Sequence, residues 1–138
     1  FIFFQFPDPL NIKTKLGEIL DENIPEKYTI SSRMWESAIR RKENNRKRGY
    51  GFGYSLFNKD SEYTSTISAR YYKDGSEIWI DDGKETPRML TPNEARKLQG
   101  FPEGFKIPVS DMQAYKQFGN SVSVPVIRAI AKKIVDHL

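Results

Sequence analysis

Residues 91–138 carry start and stop signals for three successive helices, and this feature limits the fold more than any other. Thr91-Pro92-Asn93-Glu94 combines a capping threonine, a proline in the first turn and a glutamate three residues after the cap. These residues predict a capping box and a helix that ends at Gly100. The last third of the chain is therefore expected to be helical, which excludes an all-β fold.

Two further helices follow in this region. Ser110 and Gln113 have the spacing of a second capping box, and the helix that they open is predicted to stop at Gly119. Ser123 and Pro125 are expected to begin the last helix. That helix carries one apolar stripe, made of Ile127, Ile130, Ala131, Ile134 and Leu138. An exposed stripe of this kind indicates a surface for a partner or for a second copy of the chain.

The N-terminal part is predicted to be mixed. Residues 1–10 are expected to form a short strand closed by a turn at 7–9, and residues 11–20 have the apolar spacing of a short amphipathic helix. Ser31 or Ser32 can cap a second helix, which continues into a basic segment.

From Gly49, which is expected to stop that helix, the pattern changes to strand. Residues 50–54 alternate glycine and aromatic residues, which indicates a tight loop or a close backbone approach to a partner. Residues 63–70 alternate with a period of two, a hairpin signal follows at 73–75, and residues 77–80 are predicted to form the next strand. The expected fold class is mixed, α+β.

The basic charge is concentrated in one place. The net charge is +4, and residues 40–48 contain six basic residues against one acidic residue, so the rest of the chain is close to neutral. A solvated helix end explains such a segment, because basic side chains suit the helix dipole. Contact with nucleic-acid phosphates is the other explanation.

The composition excludes several kinds of chemistry. The 138 residues contain no cysteine and one histidine, so disulfides, thiolate zinc sites, a cysteine nucleophile and a multi-histidine metal site are not expected. We predict no metal site and no membrane span, and a location in the cytoplasm. Because Phe1 stands where an initiating methionine would, we expect the chain to be processed, trimmed or cut from something longer.

Two segments resemble conserved blocks of one enzyme family. Residues 88–102 are similar to the ninth block of the DNA (cytosine-5) methyltransferases, and residues 113–126 are similar to the tenth. Thr66-Ile67-Ser68-Ala69 resembles the Thr-Leu signature of the target-recognition domain of this family. The stretch 27–75 is most similar to bacterial members that modify short palindromes beginning with two cytosines.

The resemblance implies a division of the chain into three parts. Residues 1–26 would connect from the catalytic domain, and residues 27–90 would form the target-recognition domain with a small twisted sheet. Residues 91–138 would return to complete a catalytic domain that depends on S-adenosylmethionine. The implied function is DNA recognition and completion of the cofactor pocket in an enzyme of the restriction-modification type.

The family blocks that perform the chemistry are absent from these residues. A thiolate must add to carbon 6 of cytosine before carbon 5 can attack the methyl group, and the base must be flipped out of the duplex. A chain without cysteine cannot supply that thiolate. We therefore predict no catalytic residue in this chain, no activity of the chain alone, and a partner that carries the catalytic part.

The resemblance also implies the binding residues. Asn120 and Ser121 match positions that line the S-adenosylmethionine pocket in the family. The residues expected to face the bases of double-stranded DNA are Tyr50, Gly51, Gly53, Thr66 and Arg70. Those expected to hold its phosphates are Arg40, Arg41, Arg46, Lys47 and Arg48.

Two other functions remain open on sequence grounds. A stand-alone, non-catalytic DNA-binding module explains the basic segment but has no need of the tenth block. RNA is a third possible substrate, since a related group methylates transfer RNA, although the long recognition segment argues against it. Homo-association through the last helix is also expected if the apolar stripe has no other partner. A bacterial cytoplasmic protein is expected in each case.

Overall fold

The computed structural model describes residues 3–138, which form four α-helices, three short strands and two single 3₁₀ turns. The helices are α1 (Ser32–Lys47), α2 (Pro92–Leu98), α3 (Asp111–Asn120) and α4 (Val124–Asp136). The strands are β1 (Leu56–Phe57), β2 (Trp79–Ile80) and β3 (Arg88–Met89), and the 3₁₀ turns are Leu16–Glu18 and Glu26–Tyr28. The predicted mixed class of helices with a small sheet is confirmed.

The sheet has the order β1-β2-β3. In the centre, β2 pairs in parallel with β1, where Leu56 lies opposite Trp79, and antiparallel with β3, where Trp79 lies opposite Met89. Both residues of β2 are buried, which is expected of the central strand in a covered sheet.

One hydrophobic core extends across the predicted boundary near residue 90. Its buried members are Leu16, Ile67, Tyr71, Ile78, Ile80, Leu90, Ala95, Ala114, Tyr115 and Phe118. The predicted recognition part and the helical part therefore share apolar burial, which drives both to fold together. The division of the chain at residue 90 stays a prediction about family architecture.

Two buried tyrosines connect this core through their hydroxyl groups. The Tyr71 hydroxyl donates to the Ile78 carbonyl at 2.7 Å and accepts from the Leu90 amide at 2.8 Å. The Tyr115 hydroxyl donates to the Leu90 carbonyl at 2.5 Å, and the two rings are 5.1 Å apart. Burial raises the pKa of both phenols, so they stay neutral and keep their protons for these bonds.

The helix start signals are found where the sequence places them. Thr91 Oγ1 accepts from the Glu94 amide at 3.1 Å, and Glu94 Oε2 accepts from the Thr91 amide at 2.9 Å, so the capping box is complete. Ser110 Oγ accepts from the Gln113 amide at 3.4 Å. Within residues 3–138, the reciprocal bond from the Gln113 side chain is absent, so this second box is only half formed.

The other helix limits also follow the sequence. Ser31 is the residue that caps α1, and its side chain accepts from the Met34 amide at 3.3 Å. The helix ends at Lys47, and Gly49 has a φ of 79°, which a residue with a side chain adopts only with strain. Ser123 precedes α4, which has a proline in its first turn as expected.

The predicted strand at 63–70 is wrong, because these residues join no sheet. Their hydroxyl groups bond locally instead, which competes with a strand ladder. Thr64 Oγ1 donates to the Ser65 carbonyl, and Ser68 Oγ accepts from the Arg70 amide. The turn at 73–75 is present with Gly75 at a φ of 61°, but it joins no pair of strands, and the strand predicted at 77–80 shortens to Trp79–Ile80.

The two predicted N-terminal elements are also different. Residues 3–10 form no strand, and residues 1–2 of that predicted strand lie outside the described part of the chain. The helix predicted at 11–20 is reduced to one 3₁₀ turn. The first two amides of the turn bond to another loop rather than to the residues before them: Leu16 donates to the Ser61 carbonyl and Gly17 to the Lys59 carbonyl, both at 2.8 Å.

Two further features concern the C-terminal helices. Helix α3 does not stop at Gly119 but continues through it to Asn120. Helix α4 has no buried residue, and Ile127 and Ile134 on its apolar stripe are exposed. Across residues 3–138, every helix falls short of the length and apolar character that crossing a bilayer demands.

Candidate nucleic-acid interface

The predicted phosphate-binding side chains all lie exposed on the C-terminal half of α1 and at its end: Arg40, Arg41, Arg46, Lys47 and Arg48. Arg41 lies 3.9 Å from an Asp74 carboxylate oxygen, and Lys47 lies 3.2 Å from a Glu43 carboxylate oxygen. Exposed ion pairs of this kind contribute little to stability, so these side chains can exchange their carboxylate partners for other anions. The segment therefore presents a dense positive charge to solvent.

Lys42, the sixth basic residue of this segment, has a different role. Its ammonium donates to the Tyr54 carbonyl at 2.9 Å and lies 4.3 Å above the centre of the Tyr54 ring. A side chain at Gly53 would collide with the aliphatic stem of Lys42. Lys42, although exposed, thus fastens the end of the glycine-aromatic loop to α1, a role that the sequence does not predict.

The glycine-aromatic loop, residues 50–54, is also fixed at its start. The Tyr50 amide donates to the Asn45 carbonyl at 2.8 Å, and Asn45 Nδ2 donates to the Phe52 carbonyl at 3.3 Å. The predicted residues Tyr50, Gly51 and Gly53 are exposed. Phe52 was missed as a candidate although it has the same alternation, and its side chain is 70% exposed, 5.8 Å from the Tyr50 ring.

An aromatic cluster sets the position of α1 against the sheet. The ring of Tyr54 lies 4.8 Å from Trp35 on α1 and stacks at 5.7 Å on Trp79 of β2. Ile30 and Ala38 are buried with Trp79. Since aromatic burial is the largest apolar contribution per residue, this cluster holds the basic helix and the loop beside the sheet.

The second predicted recognition segment, residues 66–70, presents two polar side chains. Thr66 and Arg70 are exposed, while Ile67 between them is buried in the main core. The Ser68 amide and hydroxyl both donate to one Glu77 carboxylate oxygen, at 3.2 and 2.7 Å. The segment is thus an anchored loop that keeps its polar side chains in solvent.

The loop and the segment are anchored at neighbouring residues. The Ser55 amide, next to the glycine-aromatic loop, donates to the Ser76 carbonyl at 2.8 Å. The following residue, Glu77, holds Ser68. The glycine-aromatic loop and residues 66–70 are therefore anchored to consecutive residues just before β2, although 63–70 is not a strand.

Asn120 and Ser121 lie where α3 ends. The Ser121 hydroxyl donates to the Phe118 carbonyl at 2.7 Å. Asn120 is exposed, and its side-chain amide has no hydrogen bond to any residue in 3–138, so both its donor and its acceptor are available to a ligand. Gly119, the preceding residue, lies against the Ser68–Ala69 peptide.

A buried ion pair supports the ninth-block segment. Arg88 is 2% exposed and donates to the two Glu94 oxygens at 2.8 and 3.0 Å. Glu94 also accepts from the amides of Asp21 and Thr91, so its carboxylate is fully hydrogen-bonded. A buried pair keeps its charges only when such bonds satisfy them. The sequence showed Glu94 as a capping residue but gave no sign of this pairing.

Asp21 connects the N-terminal loop to α2. Its carboxylate accepts from Thr91 Oγ1 at 3.1 Å, Asn93 Nδ2 at 3.0 Å and Lys97 Nζ at 2.7 Å. Partial burial alone would raise the pKa of this carboxyl, but the three hydrogen bonds and the Lys97 charge together lower it. Through these bonds, Glu94 and Asp21 connect β3, the start of α2 and the N-terminal loop, which gives both carboxylates a structural role.

No metal centre is found in the described residues, where no three acidic or histidine side chains come together. The whole sequence contains no cysteine. The candidate site therefore consists of an exposed basic helix, two anchored loops and a polar helix end.

Comparison with known proteins assigns the family. Residues 2–136 match the family model of the C-5 cytosine-specific DNA methylases. The match covers nearly the whole chain, so the chain belongs to this family.

The curated relatives are bacterial enzymes. The chain is 61% identical over 135 residues to the Type II methyltransferase M1.ScrFI of Lactococcus lactis subsp. cremoris, covering 98% of this chain and 35% of the relative. It is 60% identical over 135 residues to the Type II methyltransferase M.SsoII of Shigella sonnei, covering 98% of this chain and 36% of the relative. The chain thus spans little more than a third of the length of these relatives.

Solved structures share the fold. A methyltransferase of Entamoeba histolytica superposes with a TM-score of 0.73 at 24% identity, covering 99% of this chain and 45% of that one. The Dnmt2 methyltransferase of S. pombe gives a TM-score of 0.71 at 15% identity, covering 90% of this chain and 42% of that one. In both cases the chain matches less than half of a larger structure.

Proposed function

We propose that this chain is the DNA-recognition and cofactor-pocket part of a DNA (cytosine-5) methyltransferase of the restriction-modification type. The whole enzyme would transfer a methyl group to carbon 5 of cytosine in a short duplex site. The observation that carries the proposal is the 61% identity to a Type II methyltransferase over 98% of the chain. Residues 27–90 would read the DNA, and residues 1–26 and 91–138 would join the catalytic domain.

The DNA contacts divide by chemistry. The exposed basic side chains of α1 would bind phosphates, which fixes the protein on the duplex without reading sequence. The glycine-aromatic loop and Thr66 with Arg70 would face the base edges in the major groove, where each base pair has its own donor and acceptor pattern. We place the target among short palindromes that begin with two cytosines, acted on in the bacterial cytoplasm.

The cofactor proposed for the whole enzyme is S-adenosylmethionine, which supplies the electrophilic methyl group. Asn120 would contribute its free side-chain amide to the wall of that pocket, and Ser121 would accept a hydrogen bond through its hydroxyl oxygen. The Phe118 carbonyl accepts from Ser121 and from Gln99, and these bonds keep the end of α3 in place.

The chemistry requires a catalytic part that these residues do not include. Because the 138 residues contain no cysteine, they cannot form the thiolate that activates cytosine. The proposal therefore needs a partner domain or subunit that carries the nucleophile. The exposed apolar stripe of α4 is the surface we assign to it, since such a face is stabilised by being covered.

Reconstitution tests this function. This chain and a catalytic part from M1.ScrFI, ending where the matched region begins, would be mixed with duplex DNA and S-adenosylmethionine carrying a labelled methyl group. We expect label in the DNA from the mixture and none from either part alone. A matched mixture in which Ile127 and Ile134 are replaced by Asp should lose the activity, whereas one with Lys132→Asp should keep it.

The same samples distinguish the alternative, a stand-alone DNA-binding module. If the mixture transfers no methyl group while the chain alone binds duplex DNA as a stable monomer, the module is the correct function. Analytical ultracentrifugation of the chain alone tests the homo-association expected of an uncovered α4, since Ile127→Asp should then shift the protein to the monomer.

A further inference from the structure

Residues 66–70 are held by a side chain rather than by a sheet. One Glu77 carboxylate oxygen accepts from both the amide and the hydroxyl of Ser68, at 3.2 and 2.7 Å. The Ser68 hydroxyl oxygen in turn accepts from the Arg70 amide at 3.2 Å. A single carboxylate therefore fixes Ser68 directly and Arg70 through it.

Helix α3 supplies a second support for the same segment. A side chain at Gly119 would overlap the carbonyl group of Ser68 and the amide nitrogen of Ala69. The peptide thus lies directly against the helix backbone, which only glycine permits at this distance. One turn before Gly119 on α3, Lys116 adds a cation-π contact, with its Nζ 5.0 Å from the centre of the Tyr72 ring.

The two exposed side chains of the segment lie on either side of these supports. Thr66 comes before Ser68 and Arg70 comes after it, and both point into solvent with no strand pairing to set their position. Hydrogen bonds to base edges depend on tight geometry, whereas phosphate contacts act at longer range. Loss of the supports should therefore affect base reading more than general DNA affinity.

We infer that Glu77 and Gly119 are positioning residues for sequence discrimination, which act by holding the Ser68–Ala69 peptide so that Thr66 and Arg70 meet the bases. This inference rests on the proposed function, in which this chain reads DNA. It assigns discrimination to two residues that need not touch DNA themselves. Neither belongs to the binding residues predicted from the sequence.

The test uses the complete methyltransferase, this chain with its catalytic part, and a pool of randomised duplex DNA. Selection of the bound DNA followed by sequencing gives the sequence preference, which is the ratio of the affinity for the best-bound sequence to the average affinity for the pool. Glu77→Ala removes the anchor, Glu77→Gln keeps an oxygen acceptor for Ser68, and Glu85→Ala is the matched control. Glu85 is exposed and has no hydrogen bond or ion pair within the described chain.

We expect Glu77→Ala to reduce the preference about ten-fold, the size of effect of losing hydrogen bonds to a charged group. Affinity for the unselected pool and its salt dependence should stay within about two-fold, because the basic helix is untouched. Glu77→Gln should restore most of the preference, and Glu85→Ala should match the unchanged protein. An unchanged preference in Glu77→Ala overturns the inference.

Gly119→Ala gives an independent test, with Gly104→Ala as its control because no atom lies within 4 Å of a side chain placed there. We expect the preference to fall in Gly119→Ala only. If either variant fails to fold, Ser68→Ala provides the test instead, since it removes only the bonds of the Ser68 hydroxyl. We expect it to lower the sequence preference, and an unchanged preference would overturn the inference. If the protein without any substitution binds no DNA, both the proposed function and the inference are contradicted. If it binds DNA and the variants select the same sequences as it does, only the inference is contradicted.

Discussion

Arg88 and Glu94 form a two-point ion pair in which the side chains are 3% and 0% exposed. The pair joins β3 to the first turn of α2, and the Glu94 carboxylate also holds the amide of Asp21. A buried charge without its partner costs far more than the pair contributes, so each residue depends on the other.

Replacing Glu94 by Gln should therefore destabilise the protein by about 3 kcal/mol, because the buried Arg88 guanidinium loses its two-point partner and keeps only a 3.4 Å contact with the Asp82 carboxylate. Urea unfolding measures the free energy difference. Glu103→Gln is the matched control, since Glu103 is exposed and should change the value by less than about 0.5 kcal/mol. Equal stability of the two variants would contradict the role of the pair.

Removing the Tyr71 hydroxyl should cost about 1–3 kcal/mol, because Tyr71→Phe leaves the buried Leu90 amide and Ile78 carbonyl without partners. Tyr115→Phe should have a smaller effect, since only the Leu90 carbonyl loses a donor. Tyr63 is 80% exposed, so Tyr63→Phe is the control. Thermal unfolding gives the order of stability of the three variants. A midpoint for Tyr71→Phe equal to that of Tyr63→Phe would show that the Tyr71 hydroxyl does not contribute to stability.

Stability should depend on pH through Asp21. The pKa of this carboxyl is lowered from its ordinary value of 3.8, so the folded protein binds fewer protons than the unfolded chain. Its contribution is complete above that value and is lost as the pH falls through the folded-state pKa. Asp21→Asn should thus be less stable than the unchanged protein at pH 7, and the gap should narrow below pH 3.8.

Urea unfolding at several pH values tests this dependence. Asp8→Asn serves as the control, because Asp8 is exposed and makes no hydrogen bond within the described residues. Its stability should follow that of the unchanged protein at every pH. A gap for Asp21→Asn that is constant between pH 7 and pH 3 would show that the carboxylate charge does not contribute.

The basic helix should control DNA affinity without controlling sequence preference. If it grips about four to six phosphates, log affinity should fall with log salt at a slope of roughly −4 to −5. The triple change of Arg46, Lys47 and Arg48 to Ala should make the slope about 2 to 3 units shallower and weaken all sequences alike.

A control for this charge change removes three exposed basic residues elsewhere, Lys13, Lys106 and Arg128. This control triple changes the net charge by the same amount but leaves the basic helix intact. The slope of log affinity against log salt should therefore change much less than in the triple at 46–48. Fluorescence anisotropy with duplex DNA at several salt concentrations measures both triples. A triple variant at 46–48 that lost only its sequence preference would show that these residues read bases instead.

The sequence predicted best those elements whose signals are local. The cap at Thr91 and the end of α1 near Gly49 depend on residues a few positions apart, and both are confirmed. The starts of α3 after Ser110 and of α4 after Ser123 are also confirmed, although the box at Ser110 is half formed and Ser123 makes no side-chain cap bond. The family resemblance was also recognised from short blocks, and the family match confirms it. Such features require no knowledge of the rest of the fold.

The errors concern bonds between distant residues. The amide of Leu16 donates to Ser61, which replaces the predicted helix at 11–20, and Glu77 holds Ser68 in place of a strand at 63–70. The sequence predicts a helix stop at Gly119 because glycine ends many helices, but here the glycine makes room for the Ser68–Ala69 peptide. The partner in each case is invisible to a periodic pattern.

The support of residues 66–70 has a consequence for how new specificities arise. The segment is held through the amide and hydroxyl of Ser68, the amide of Arg70 and the peptide at Ala69, and the exposed side chains of Thr66 and Arg70 take no part in these bonds. Exchange of these two side chains leaves every anchoring bond in place. Under the proposed function, the segment is thus a replaceable cassette on a constant frame, in which the recognised sequence can change without any change in the bonds that hold the segment.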